Sequence, residues 1–66
     1  MKNSLKEERL RKQLTQVQLA ELVSVSRQTI ISIELNKYTP SVLLSLKLAK
    51  VLTKRVEDIF RLEEFD

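Results

Sequence analysis

Apolar residues recur along this 66-residue chain in short helical blocks separated by polar turns. The clearest stretch is Thr15 to Glu34, TQVQLAELVSVSRQTIISIE. There Thr15 is placed to cap a helix on whose inner face Leu19, Ala20 and Val23 fall at i, i+1 and i+4. Ala20 is small where a second helix would cross closely. Ser24 and Val25 break the pattern, and Ser26 is placed to cap a second helix with Ile30 and Ile33 inward. Upstream, Ser4 to Lys12 reads as a helix with Ser4 as cap and Glu7 and Glu8 in the first turn, where negative charge suits the dipole. Downstream, Asn36 to Thr39 reads as a loop in which Asn36 best tolerates a left-handed backbone, and Pro40 prevents continuation. Ser41 then caps a Leu-rich helix through Leu52, with more than one face expected to be buried. A short fifth helix is expected around Val56 to Phe60, with Glu57 and Asp58 in its first turn. Arg61 to Asp66 is expected to extend as a strand pairing with Met1 to Asn3.

The polar positions sharpen this picture. Arg27, Gln28, Thr29 and Ser32 are left on the outer face of the helix that starts after Ser26. Two capped helices with a tight turn and an exposed polar second helix have the layout of a helix-turn-helix, whose second helix offers its N-terminal residues to base edges in the major groove.

Composition narrows the chemistry. The chain has no Cys, no His and no Gly. Disulfides and thiolate metal sites are thereby excluded, as are the usual neutral-pH base and a glycine-rich phosphate loop. Neither a metal nor a cofactor is expected. No apolar run approaches the roughly 20 residues of a membrane span, and MKNSLKEERLRK lacks the apolar core of an export signal. A cytoplasmic location is expected. Net charge is +3, unevenly spread: residues 1–56 carry eleven Lys and Arg against four acids, whereas residues 57–66 carry Arg61 against five acids. A basic body suits phosphate contacts. The acidic tail is expected to lie away from them.

These residues match a known family. Leu14-Thr15-Gln16, Leu19-Ala20, Val25-Ser26-Arg27-Gln28-Thr29-Ile30, Ile33-Glu34, Pro40-Ser41, Leu48-Ala49 and Glu57-Asp58-Ile59-Phe60 together resemble the Cro/CI-type (Xre) repressor domain over nearly the whole chain. The SRQTI, NKY and EDIF segments look most like its small stand-alone members. The resemblance implies an all-α, five-helix lambda-repressor-like DNA-binding domain spanning residues 1–66, with the helix-turn-helix at 15–34 and a short two-stranded antiparallel sheet from the chain ends. It implies base reading by Arg27, Gln28, Thr29 and Ser32. It further implies phosphate contacts by Gln16, Lys37 and Tyr38, with Thr39 as a further contact. Arg pairs well with guanine O6 and N7, and Gln with adenine N6 and N7. Arg9 and Glu34 match a partly buried ion pair linking the first helix to the end of the recognition helix. Family turns usually carry Gly where this chain has Gln13, Ser24, Asn36 and Thr53. Arg55 stands where Ser or Thr usually caps the last helix, and Lys54 where an apolar residue is usual.

The expected function is therefore sequence-specific binding of double-stranded DNA by a transcriptional regulator, most simply a repressor. One such module offers a small interface, so a homodimer on a pseudo-palindromic operator is expected. Its two-fold contact is placed on Ile59, Phe60, Leu62 and Phe65, with Val51 from the fourth helix, because a small core has little room for these side chains. An antitoxin or other protein-interaction module is the alternative, although only six residues follow Phe60. An enzyme is not expected: Glu7 with Glu8, and Glu57 with Asp58, are adjacent on helices and diverge.

Overall fold

Three polar side chains start helices as anticipated. The structure, a computed structural model describing residues 1–66, has α2 at Gln16–Leu22, α3 at Arg27–Glu34 and α4 at Val42–Leu52. Thr15 Oγ1 accepts from the Gln18 N–H at 3.0 Å, Ser26 Oγ from Thr29 N–H at 3.2 Å, and Ser41 Oγ from Leu44 N–H at 3.1 Å. Gln18 completes a capping box by accepting from the Thr15 N–H at 2.8 Å. Ser4 behaves differently. It precedes α1 (Leu5–Arg11), but Asn3 Oδ1 accepts from the Leu5 N–H, and the Ser4 hydroxyl instead accepts from Arg61 at 2.8 Å.

All four of these helices end in the same way. Gln13, Ser24, Asn36 and Thr53 take φ of 58°, 60°, 60° and 57°. In each turn two backbone bonds close the helix, as in Leu14 N–H to Arg9 carbonyl with Gln13 N–H to Leu10 carbonyl. The equivalent pairs recur through Ser24–Val25, Asn36–Lys37 and Thr53–Lys54. This is the Schellman closure, made here without the glycine that usually supplies its left-handed residue.

A short α5 (Val56–Ile59) follows, and β2 (Phe60–Arg61) pairs antiparallel with β1 (Lys2–Asn3), Lys2 opposite Arg61 and Asn3 opposite Phe60. The expected tail strand is thus confined to two residues and begins one residue earlier. Asn3 also donates to the Ile33 carbonyl at 3.0 Å and to Asn36 Oδ1 at 2.8 Å, tying the chain start to the end of α3.

Twelve buried apolar residues form one core, including Leu5, Leu19, Val23, Ile30, Ile33, Leu48, Leu52 and Ile59. Each such Leu or Ile contributes about 2 kcal/mol by removal from water. Two expectations are corrected here. Ile59 is fully enclosed and Phe60 is 8% exposed, because α5 and the β1–β2 pairing turn both side chains into this core. Both side chains are used within the core of this single chain and are not surface residues. Conversely, α4 buries one face only: Leu44, Ser45, Leu48, Ala49 and Leu52 point inward while Val42, Leu43 and Leu46 stay exposed. With only five short helices, nothing in the chain covers that second face.

Candidate nucleic-acid interface

The α2–α3 pair positions the outward side chains. Buried Leu19, Ala20, Ile30 and Ile33 fix the two helices against each other, and the Ser26 cap sets where α3 begins. Ser26 Oγ also lies 2.9 Å from Thr29 Oγ1, so the Thr29 hydroxyl is held within the first turn. Gln28 remains exposed beside it. At the other end of α3, the left-handed Asn36 and the Lys37 N–H bond to the Ser32 carbonyl at 2.8 Å fold the following loop back. One hollow of about 300 Å³ then collects Ser26, Gln28, Thr29, Ser32, Lys37 and Tyr38. Three of the four residues expected for base edges, Gln28, Thr29 and Ser32, thus share one outward surface with Lys37 and Tyr38.

Arg27 and Gln16 lie elsewhere. They line a separate hollow of about 420 Å³ with Lys6, Arg9, Thr15 and Val17. Thr39 is also separated from the α3 face; it lines an apolar hollow with Pro40, Val56, Phe60 and Leu62.

Behind the α2–α3 pair, Arg9 and Glu34 form the anticipated tertiary ion pair. Arg9 Nε donates to Glu34 Oε2 at 2.7 Å and its second nitrogen to Oε1 at 3.3 Å, while its third donates to the Leu14 carbonyl at 2.9 Å. Their side chains are only 8% and 5% exposed. Gln16 Nε2 also donates to Glu34 Oε1, at 3.2 Å, and Gln16 Oε1 accepts from Arg27 Nε at 3.4 Å. No buried side-chain nitrogen or oxygen lacks a partner.

A helix-turn-helix family model matches residues 5–59. The chain belongs to the Xre-type helix-turn-helix family of DNA-binding transcription regulators. It is 48% identical over 64 residues to YgzD, an uncharacterised HTH-type transcriptional regulator of Bacillus subtilis, with 97% of each chain covered. An uncharacterised HTH-type regulator of Methanocaldococcus jannaschii is 52% identical over 64 residues, again covering 97% of each. Among solved structures, the restriction-modification controller protein C.AhdI of Aeromonas hydrophila superposes with a TM-score of 0.78 at 32% identity, covering 85% of both chains. The helix-turn-helix anticipated from TQVQLAELVSVSRQTIISIE is therefore both formed and shared.

Sequence reasoning missed three features. Asn3 carries no signal by type, since its partners lie 30 and 33 residues away. Lys6 carries no sequence signal that separates it from the other surface lysines. The exposure of Val42 and Leu46 on α4 is the third, because apolar periodicity cannot distinguish a face buried within the chain from one left open.

Proposed function

We propose that residues 1–66 act as one DNA-binding domain that represses transcription, as a homodimer on a pseudo-palindromic operator. The observation that carries this reading is the single hollow joining Gln28, Thr29 and Ser32 of α3 to Lys37 and Tyr38 of the following loop. Gln28, with amide donor and acceptor exposed just after the Ser26 cap, suits an adenine edge; Thr29 and Ser32 offer short polar contacts beside it. Lys37 and Tyr38 suit phosphate oxygens, which fix register without reading sequence. Repression is favoured by the SRQTI and NKY segments, which resemble those of a Gram-positive cytolysin-operon repressor.

Dimerisation is supported by exposed apolar surface. Val42 and Leu46 are 77% and 56% exposed, and Leu62 and Phe65 are 81% and 94% exposed. Val51 is half-buried and packs on the core. A second copy over the α4 face and tail would cover this surface and set two α3 helices roughly 34 Å apart.

The test is selection of duplexes from a random-sequence pool, with sizing of the complex by light scattering. An inverted repeat with half-sites one turn apart, bound by two chains, is the expected result. Gln28→Ala should reorder preferences among single-base-pair variants of that site. Lys37→Ala should weaken all of them alike and lower the salt slope by about one unit. Placed in a promoter, the selected site should reduce transcription when protein is added. A lone half-site bound by one chain would remove the dimer, and no selected sequence would remove the DNA reading.

A further inference from the structure

We propose that Lys6 and Arg27 form a seat for a DNA backbone phosphate, so that Arg27 supplies affinity while Gln28, Thr29 and Ser32 supply the reading. This assignment rests on the DNA-binding reading above. Its basis is the hollow of about 420 Å³ that takes Lys6 from α1, Gln16 from the start of α2 and Arg27 from the start of α3. Gln28, Thr29 and Ser32 line the other hollow, which Arg27 does not.

The charges around the seat are unbalanced. Arg9 reaches its wall, but Glu34 already neutralises it at 2.7 Å. Neither Lys6 nor Arg27 has an acidic partner. Two free cations therefore face a space with no carboxylate on its lining.

The buried pair also sets the polarity of the groups between them. A carboxylate has no proton to give and a guanidinium has no acceptor. Gln16 must therefore turn Nε2 to Glu34 and Oε1 to Arg27, as the 3.2 and 3.4 Å contacts have it. With Arg27 Nε held this way, its terminal nitrogens and the second Gln16 N–H remain unengaged. The unengaged groups of Lys6, Gln16 and Arg27 are all donors and carry a net positive charge, which suits a ligand that is an acceptor and an anion. A phosphodiester is that ligand on duplex DNA. The first helix of a helix-turn-helix crosses the backbone while the second enters the groove. A hollow at the start of α2, with α1 contributing Lys6, therefore lies over the backbone.

The probe is the duplex selected by the parent protein, with its single-base-pair variants and a series carrying a neutral methylphosphonate at each phosphate in turn. Arg27→Ala and Lys6→Gln should weaken every base variant by a common factor, each lowering the salt slope by about one unit. Arg27→Lys should retain most of the binding, since a phosphate accepts a point charge where a guanine edge requires the planar fork. One methylphosphonate position per half-site should weaken the parent most, weaken Arg27→Ala and Lys6→Gln less, and leave the double variant unaffected. Both residues are exposed, so circular dichroism should show unchanged folding. A reordering of base preference at one position by Arg27→Ala, reproduced by Arg27→Lys, would overturn the seat while leaving the DNA reading intact. A parent protein that selects no duplex would remove both.

Discussion

Arg9–Glu34 and Arg55–Asp58 are the same chemical pair in two settings. The first joins α1 to the last turn of α3, with both side chains under a tenth exposed and both carboxylate oxygens engaged. The second lies at the start of α5, three residues apart, with side chains 75% and 40% exposed. Their contact lengths differ little, 2.7 and 3.3 Å against 3.2 and 3.3 Å. What differs is the alternative to pairing. At Arg55 and Asp58 water replaces a lost partner. At Arg9 and Glu34 the charges have already been taken out of water, and the Leu14 carbonyl and Gln16 amide complete the arrangement. Burial, more than the pairing itself, sets the consequence of losing either member.

Glu34→Ala should therefore have the largest effect, a loss of roughly 3–5 kcal/mol, because it strands the Arg9 charge. At about 0.05–0.15 kcal/mol per residue, a chain this size holds only some 3–10 kcal/mol in total, so the loss takes a large share of it. Urea denaturation of Glu34→Ala beside Arg9→Met with Glu34→Leu tests the cause. The double replacement should be the more stable of the two. A single variant within about 1 kcal/mol of the parent would mean that the pair is solvated and the contrast with Arg55–Asp58 is lost.

The same two regions differ in their turns. Asn36, after α3, and Thr53, after α4, hold nearly identical left-handed backbones at φ 60° and 57°. Asn tolerates that conformation, whereas a β-branched residue is strained there by roughly 1–3 kcal/mol. Glycine removes the strain but adds about 0.5–1 kcal/mol of unfolded-state entropy. Thr53→Gly should consequently stabilise by about 1 kcal/mol. Asn36→Gly should give no gain, since it also deletes the Asn3 contact. Denaturation midpoints measure both. An equal gain at both sites would show that β-branching is not what separates the two turns.

These contrasts also mark what the sequence could express. Thr15, Ser26 and Ser41 act within three residues of themselves, so their caps could be read from type and spacing. The four left-handed positions are legible through the family resemblance, because its turns usually carry glycine there and this chain has none. Ser4 has the right type and spacing for a cap, but Asn3, anchored to Ile33 and Asn36 across the fold, reaches the Leu5 N–H in its place. The inward turn of Ile59 and Phe60 is not legible in the sequence, because apolarity alone does not say which side of a short helix and strand faces inward. The α3 surface was legible as a set, but the grouping of Arg27 with Lys6 and Gln16 depends on Glu34, seven residues along the chain from Arg27 and eighteen from Gln16. Chain spacing carries no trace of such a relay.

The smallest effect is expected from the exposed pair, and pH isolates it. The Arg55 guanidinium, then the Arg55 backbone N–H, holds the Asp58 carboxyl below its ordinary value of 3.8. A depressed folded-state pKa makes the contribution present above the ordinary value and lost as pH falls through the folded one. Because Asp58 is open to water, that contribution should be slight and should shrink further in 1 M salt. Asp58→Asn should lie just below the parent in denaturation midpoint from pH 7 to 5. The two curves should converge as the parent protonates below about pH 4. Glu34→Gln should show no comparable relief in salt, since a buried pair is screened much less. An offset between Asp58→Asn and the parent that persists unchanged to pH 2 would assign the difference to the hydrogen bond at the Arg55 N–H rather than to charge. The start of α5 would then depend on the shape of its capping group, and the two pairs would differ in kind as well as in burial.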